Sequence, residues 1–198
     1  MKIIVSPAKT MIENTDSYIG SSIPTYIDHS ETLLKEIRKK TYEELKEIWK
    51  CNEKIADENF ERFKNMNLQG SLTPAIFSYQ GIQYQYMAVN VMEASAIEYI
   101  RENLYILSGF FGILRAFDGV SPYRLEMQAK FFVGEHKNLY EFWGDKIYKK
   151  LFENCDIINI ENLTNLEQCG DELFWFGCFP LKIENCDGSP IRAVAWFN

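Results

Sequence analysis

The sequence lacks long apolar runs and paired cysteines, and each absence excludes a class of protein. No apolar run approaches the roughly 20 residues needed to span a bilayer, and the N-terminus carries a strand pattern where a signal peptide has a long apolar segment. We therefore expect a protein of the cytoplasm, with no membrane partner. The five cysteines include no Cys-x-x-Cys spacing, which indicates reduced thiols rather than a disulfide framework or a zinc knuckle.

Metal-binding and cofactor-binding patterns are also lacking. The two histidines, His29 and His136, belong to no His-x-x-x-His or Glu-x-x-His arrangement, so the sequence predicts no metal site. No Gly-x-Gly-x-x-Gly, Walker pattern or nucleophile elbow occurs, and we expect no cofactor. A Ser-His-Asp triad stays open at this level, because such triads are recognised by geometry.

Charge is unevenly distributed along the chain. The net charge of -7 argues against a protein that coats nucleic acid through bulk electrostatics. Summed by segment, only residues 109–150 are net positive, with seven basic and five acidic side chains. A site for an anionic ligand should therefore draw on this segment, with help from individual lysines elsewhere.

Apolar periodicity predicts an α/β fold, with mixed α+β as the alternative. Residues 2–5, 74–79, 104–107 and 156–160 have strand patterns, while residues 30–66 predict two or three helices, and residues 93–102 and 140–152 further helices. Thr41 and Glu44 have capping-box spacing, so one helix should begin just after Thr41.

The order of these elements defines the expected architecture. The chain length of 198 residues favours a single domain over residues 1–198. Alternating strands and helices favour a central, largely parallel or mixed sheet flanked by helices. Residues 173–197 are aromatic and β-prone, with a turn at Asp187-Gly188, and predict a C-terminal hairpin.

Three loops at predicted strand ends are candidates for a binding site. They are Ser6–Thr10, Tyr79–Tyr84 and Ser108–Glu126. Ligands of open α/β sheets usually bind at such loops. Lys9 follows a turn fixed by Pro7, which suits binding of an anion, although isolated lysines are most often simply solvated.

The third loop begins with a glycine-rich turn. Gly109 and Gly112 follow Ser108 directly after a strand, which leaves backbone N–H groups free to approach a phosphate or carboxylate. A tight turn packing on Phe110 and Phe111 is an equally good interpretation.

The same loop ends with an aromatic, a guanidinium and a carboxylate. In an extended segment Arg124 and Glu126 share one face while Tyr123 points away. Arg124 would then clamp a phosphate or stack on a base, and Glu126 would orient it. A structural ion pair is the alternative. Tyr84 supplies a second aromatic side chain near the same place or caps the core.

Five motifs in order resemble the bacterial peroxide-stress protein YaaA family. They are Ser6-Pro7-Ala8-Lys9-Thr10-Met11, Phe77 through Gly81 to Tyr84, Leu107-Ser108-Gly109 through Gly112 and Leu114-Arg115 to Asp118, Pro122 to Met127, and Phe142-Trp143-Gly144-Asp145. The resemblance implies a mixed α/β fold and a cytosolic protein that helps limit free iron during peroxide stress. It also implies DNA binding through a positively charged cleft containing a helix-hairpin-helix element.

Two departures from the family pattern concern the C-terminal part. Residues 158–162 carry Glu161 where the family has small neutral residues, and the last 48 residues hold only two basic side chains, Lys182 and Arg192. We therefore expect that the chain lacks the basic C-terminal segment of the family.

Two functions follow as hypotheses. The first is a stress protein that binds DNA or a nucleotide-like anion through Ser6, Lys9, Tyr84, Ser108, Gly109, Gly112, Arg115, Tyr123 and Arg124. The second is an enzyme acting on a nucleotide or modified nucleobase in a pocket of Lys, Arg, Tyr and Glu side chains, with Glu126 as the candidate general acid or base. In either case Lys9, Arg115 and Arg124 are expected to line one cleft.

Overall fold

The computed structural model describes residues 2–14, 20–70 and 72–153 and the strands Trp175–Pro180 and Ile191–Trp196. The chain divides into two compact units, residues 1–155 and 156–198. The helices and strands described between residues 3 and 152 belong to the first unit.

Three helices occupy the stretch in which helical spacing predicts two or three. They are α1 (Ile27–Arg38), α2 (Tyr42–Trp49) and α3 (Glu53–Asn65). The predicted capping box precedes α2, where the Glu44 backbone N–H donates to Thr41 Oγ1 at 3.3 Å and the Thr41 N–H donates to Glu44 Oε2 at 2.7 Å. The capping box gives partners to two backbone N–H groups that the start of a helix would otherwise leave unpaired. The prediction of a helix after Thr41 is confirmed.

A small mixed sheet joins the N-terminal strand to two strands from the middle of the chain. Strand β1 (Ile3–Val5) runs parallel to β5 (Leu104–Ser108), which follows helix α6 (Ala94–Asn103). Strand β6 (Gly112–Arg115) then returns antiparallel to β5, with Ser108 opposite Gly112 and Tyr105 opposite Arg115. The predicted strands at residues 2–5 and 104–107 and the predicted helix at 93–102 are confirmed.

The segment predicted as a strand at residues 74–79 is mostly helical. It consists of β3 (Thr73–Pro74), the one-turn helix α4 (Ala75–Ser78) and β4 (Tyr79–Gln80), and helix α5 (Ile82–Met87) follows, with a 3-10 turn at Val89–Val91. Nearly every residue of the segment is buried, and a fully buried apolar run carries no periodicity that separates a short helix from a strand.

The predicted central sheet is replaced by several small sheets. Strand β2 (Thr10–Met11) pairs antiparallel with β4, and β3 pairs antiparallel with β7 (Gly119–Val120). Among the strand pairs of the described residues, only β1 and β5 are parallel. The fold class is mixed α/β, so the expectation of a largely parallel sheet is wrong and the mixed alternative is correct.

The end of the first unit is helical, and the second unit holds a strand pair. Helices α7 (Leu139–Trp143) and α8 (Lys146–Phe152) are separated at Gly144, which has a positive φ of 51°. In the second unit β8 (Trp175–Pro180) pairs antiparallel with β9 (Ile191–Trp196), which confirms the predicted pairing. The predicted strand at 156–160, the 158–162 loop and the turn at Asp187-Gly188 lie outside the described residues.

Aromatic side chains form the part of the core nearest to the third candidate loop. Phe110, Phe111 and Trp143 are almost fully buried, and the ring of Tyr123 lies 5.2 Å from that of Phe110 and 5.5 Å from that of Phe111. The turn between β5 and β6 is therefore part of the core.

Candidate functional site

The three candidate loops meet. The Ser6 carbonyl accepts hydrogen bonds from the Tyr84 hydroxyl, at 2.8 Å, and from the Gln83 amide. The β2–β4 pairing fixes the first two loops side by side. The third loop joins them through Tyr123, whose hydroxyl lies 2.8 Å from that of Tyr79.

A buried hydroxyl cluster holds the third loop. Tyr123 also lies 2.6 Å from Ser108 Oγ, which in turn accepts the Phe111 backbone N–H at 2.8 Å. Burial raises the pKa of the Tyr79 phenol well above its usual value, and burial likewise raises the pKa of Tyr123. Both phenols are therefore neutral at physiological pH and act as a structural anchor for the segment that follows.

An open cavity of about 240 Å³ lies next to this hydroxyl cluster, and Tyr123 forms part of its lining. Its lining combines an apolar floor with charged side chains, namely Pro7, Ala8, Lys9, Tyr123, Arg124, Leu125, Glu126, Met127, Gln128 and Tyr140. We call it the Lys9–Arg124 cavity.

Two cations converge on one carboxylate in this cavity. Lys9 Nζ lies 3.1 Å from Glu126 Oε1, and an Arg124 terminal nitrogen lies 3.5 Å from the same oxygen. The Lys9 side chain is 65% exposed, whereas Arg124 is 13% and Glu126 31% exposed. Lys9 is thus the exposed partner of Glu126, whereas Arg124 is largely buried, with its Nε 3.5 Å from the Trp49 carbonyl.

The charges around Glu126 determine its ionisation. Partial burial alone would raise its pKa, but hydrogen bonds from Lys9 and Gln128 and the charges of Lys9 and Arg124 outweigh burial and lower the pKa below its usual value. Glu126 is therefore a carboxylate at neutral pH. A carboxylate of lowered pKa is a poor general acid, because it carries no proton to donate.

Alternation along the loop places these side chains. Tyr123 and Leu125 are buried, while Arg124 and Glu126 are partly exposed and contact each other, as an extended segment requires. Gly109 permits this arrangement, because a Cβ there would lie 2.4 Å from the Leu125 carbonyl oxygen.

Several of the predicted site residues lie near the cavity but not in its lining. Ser6 contributes its carbonyl to the Tyr84 hydroxyl, and burial raises the pKa of that phenol. Ser108, Gly109 and Gly112 belong to the buried turn. Gly112 has a positive φ of 73°, and a Cβ there would lie 2.7 Å from the Trp143 ring.

Arg115 is not brought to the Lys9–Arg124 cavity. It lies opposite Tyr105, at the other end of β5 from Ser108, because β6 runs back along β5. Its Nε donates to Asp118 Oδ1 at 2.9 Å and a terminal nitrogen donates to the Ile23 carbonyl at 3.1 Å. Of the three cations expected in one cleft, Lys9 and Arg124 are brought together and Arg115 is not.

Asp118 is the buried partner of Arg115. Its carboxylate also accepts the Ser22 hydroxyl at 2.6 Å and the Arg115 backbone N–H at 2.8 Å. Burial raises the pKa of Asp118, against the lowering effects of Ser22 and Arg115. This cluster ties the segment around Ser22 to the end of β6.

A second cavity, of about 340 Å³, adjoins the first and was missed by sequence reasoning. It shares Gln128 and Tyr140 with the first cavity and is lined by Gln128, Ala129, Lys130, Phe132, Lys137, Asn138 and Tyr140. The net positive charge of residues 109–150 was the feature of the sequence that could have predicted a second site in this segment. We call it the Phe132–Tyr140 cavity.

The described ranges hold neither a metal-binding cluster nor a membrane-spanning helix. Residues 2–14, 20–70 and 72–153 hold no group of three or more His, Cys, Asp or Glu side chains placed to bind a metal ion. Among the helices of these ranges, none has the length and apolar character needed to cross a membrane.

Comparison with known proteins gives a consistent result. Residues 1–167 match the family model described as "Peroxide stress protein YaaA". The chain is 56% identical over 158 residues to a UPF0246 protein of Lachnoclostridium phytofermentans, covering 80% of this chain and 62% of the relative. It is 52% identical over 158 residues to a UPF0246 protein of Agathobacter rectalis, covering 80% of this chain and 64% of that relative. The chain thus spans less than two thirds of the length of these curated relatives.

Proposed function

Because the chain belongs to the peroxide stress protein YaaA family, we propose that it acts in the bacterial cytoplasm during peroxide stress and binds DNA at the Lys9–Arg124 cavity. Its effect on free iron would then be indirect. The observation that carries the proposal is the convergence of Lys9 and Arg124, from distant parts of the chain, on the carboxylate of Glu126.

This convergence makes a site that a phosphate can enter. An exposed lysine–carboxylate pair contributes only about 0–1 kcal/mol, so Lys9 can leave Glu126 at little cost. Arg124 contacts the Trp49 carbonyl and Glu126, and its planar guanidinium carries five N–H donors in a geometry that matches a phosphate.

The surroundings favour a polyanion over an isolated anion. The two adjoining cavities are lined by four cations, Lys9, Arg124, Lys130 and Lys137, and by one carboxylate, Glu126. Both cavities are open, and they follow one another through Gln128 and Tyr140. A row of cations along an open surface matches the repeated phosphates of a nucleic acid backbone.

A titration of DNA binding tests the proposal. Fluorescence anisotropy with labelled duplex DNA at low salt should show binding by the 198-residue chain that weakens steeply as salt rises. Lys9→Gln and Arg124→Gln should each weaken binding by about 5- to 10-fold and lower the salt slope by ~0.9 per lost phosphate contact.

The matched control is Lys54→Gln, which removes an exposed lysine of α3 that lines neither cavity. DNA affinity of the control should equal that of the wild type. Absence of binding at low salt, or equal losses in the control and the two cavity variants, would overturn the proposal.

An enzyme acting on a nucleotide or modified nucleobase draws on the same cluster and is less well supported. Three of the side chains that such a site would use meet, namely Lys9, Arg124 and Glu126. The other two do not, because Tyr84 bonds to Ser6 and Arg115 to Asp118. Glu126 is ionised at neutral pH and has no proton to give. Turnover of a purine nucleoside monophosphate that is lost in Glu126→Gln would favour the enzyme.

The iron hypothesis has its own test. The sequence has two histidines and no ferritin-like carboxylate and histidine pattern, which is why we propose an indirect effect on iron. Purified protein should contain far less than one iron per chain by atomic absorption. Stoichiometric iron would contradict the proposal.

A further inference from the structure

Two large aromatic side chains face solvent in the Phe132–Tyr140 cavity. Phe132 is 64% and Tyr140 61% exposed, while their neighbours Phe131, Leu139 and Phe142 are buried. Exposed aromatic rings that line one cavity are typical of binding surfaces, because their faces offer large apolar contact area.

A tight hairpin orients the first of these rings. Val133 and His136 exchange backbone hydrogen bonds of 3.0 Å around a turn in which Gly134 has a positive φ of 58°. In such a hairpin the next pair outward, Phe132 and Lys137, lies on the face opposite the buried Val133. Phe132 and Lys137 therefore point into the same cavity.

Helix α7 orients the second ring. Leu139, Phe142 and Trp143 pack into the core, so Tyr140 occupies the solvent side of the same helix. The Asn138 side chain accepts the Glu141 N–H at 2.9 Å and fixes the start of this turn. Both rings are thus held by local backbone structure before any ligand arrives.

Two lysines of the cavity have no acidic partner within the described ranges. Lys130 and Lys137 are exposed, and neither takes part in any of the described ion pairs. The nearby Glu141 carboxylate accepts the Lys137 backbone N–H at 2.8 Å. The two ammonium groups are therefore available to an anionic ligand.

Aromatic faces beside unpaired cations fit a strand with unstacked bases. Single-strand binding surfaces combine these two features, because bases stack on the rings while lysines neutralise the phosphates. A duplex keeps its bases stacked inside, and the Asp and Glu side chains that make a peptide acidic carry no planar rings. The chemistry of the cavity thus favours single-stranded nucleic acid over both.

We propose that the Phe132–Tyr140 cavity binds unpaired nucleotides, with bases stacked on Phe132 and Tyr140 and phosphates paired with Lys130 and Lys137. The strand continues past Gln128 into the Lys9–Arg124 cavity. The inference rests on the proposed nucleic acid binding and adds a preference for single strands, which comes from base stacking on the two rings.

The test compares two labelled probes by fluorescence anisotropy. One is an oligothymidine of about 15 nucleotides, within the ~4–16 that single-strand modules contact, and the other is a duplex of the same length. Phe132→Leu should weaken oligothymidine binding by about 5- to 100-fold and change duplex binding less than about twofold, because Phe132 lines only the Phe132–Tyr140 cavity. Tyr140→Leu should weaken oligothymidine binding by a similar factor. Tyr86→Leu, at an exposed tyrosine of α5 outside both cavities, should leave both affinities unchanged.

The lysines have a different signature. Lys130→Gln and Lys137→Gln should lower the salt slope for the oligothymidine by ~0.7 each, which removal of a ring does not do. Ultraviolet cross-linking of the oligothymidine, followed by peptide mass spectrometry, should place adducts on the peptides that contain Phe132 or Tyr140.

The outcomes separate this inference from the proposed function. If neither probe binds the wild type, both fail. If both probes bind but Phe132→Leu loses no single-strand affinity, or loses both affinities equally, the single-strand site alone is refuted. Equal competition by a polyglutamate peptide against the oligothymidine would likewise refute it, since such a peptide has no rings to stack.

Discussion

The hydroxyl of Tyr123 lies 2.6 Å from Ser108 Oγ, in a core cluster that also includes the Tyr79 hydroxyl. Tyr123 immediately precedes Arg124, so this contact links the turn after β5 to the wall of the Lys9–Arg124 cavity. The position of the cavity's guanidinium therefore depends on hydrogen bonds that are buried in the core.

Removal of the Tyr123 hydroxyl should cost stability. Tyr123→Phe leaves the buried Tyr79 hydroxyl without its Tyr123 partner, which we expect to lower the free energy of unfolding by about 1–3 kcal/mol. Urea denaturation followed by circular dichroism measures this loss. The control Tyr86→Phe alters an exposed ring and should stay within ~0.5 kcal/mol of the wild type, and a similar small effect at Tyr123 would contradict the buried cluster.

Removal of the central carboxylate should strengthen anion binding. Glu126→Gln frees Lys9 and Arg124 and takes away a charge that repels phosphate, so duplex DNA affinity at low salt should rise about 5- to 10-fold. Anisotropy titration measures the change, with Glu93→Gln as a control at an exposed carboxylate outside both cavities. A loss of affinity would show that Glu126 helps to bind the ligand.

The stability contribution of Glu126 should depend on pH in a defined direction. Its pKa is lower in the folded than in the unfolded chain, so its contribution is present above the ordinary carboxyl pKa and disappears as the pH falls through the folded value. The wild type should exceed Glu126→Gln by at most about 1 kcal/mol at neutral pH, because the site is partly exposed, and the two should converge in acid. Urea titrations across the acidic range measure this, and a constant difference would count against it.

The stability contribution of Asp118 should depend on pH in the opposite direction. Burial raises its pKa in the folded state, so its contribution is fully present below the ordinary carboxyl pKa and declines as the pH rises through the folded value. Relative to Asp118→Asn, the wild type should therefore lose stability as the pH rises through this range. A relative gain would mean that the Arg115 and Ser22 interactions outweigh burial.

Alanine substitutions at two glycines with positive φ distinguish the stability cost of steric crowding from that of backbone strain. Gly112→Ala places a Cβ 2.7 Å from the Trp143 ring, whereas Gly134→Ala meets nothing within 4 Å. Strain alone should cost about 1–2 kcal/mol at Gly134, and the cost at Gly112 should be larger by at least ~1 kcal/mol. Equal losses of unfolding free energy would show that Trp143 gives way.

Local sequence patterns predicted local structure well, whereas contacts between distant parts of the chain could be predicted only in part. The Thr41–Glu44 box specified a helix start because both partners lie within one turn. The prediction of a strand at residues 74–79 was wrong, because full burial removes the periodicity that distinguishes a helix from a strand. Strand-end loops predicted the meeting of Lys9, Arg124 and Glu126, but the return of β6 that carries Arg115 away depends on antiparallel pairing, which the sequence does not display.

Glu126 also affects which anions can occupy the Lys9–Arg124 cavity. A carboxylate tethered to the same chain is present at an effective concentration of roughly millimolar or more, whatever the concentration of anions in solution. Dissolved monovalent anions must therefore compete with the Glu126 carboxylate, which is always present beside the two cations. Chains of phosphates, which engage several cations of the two cavities together, have the multivalency needed to displace it.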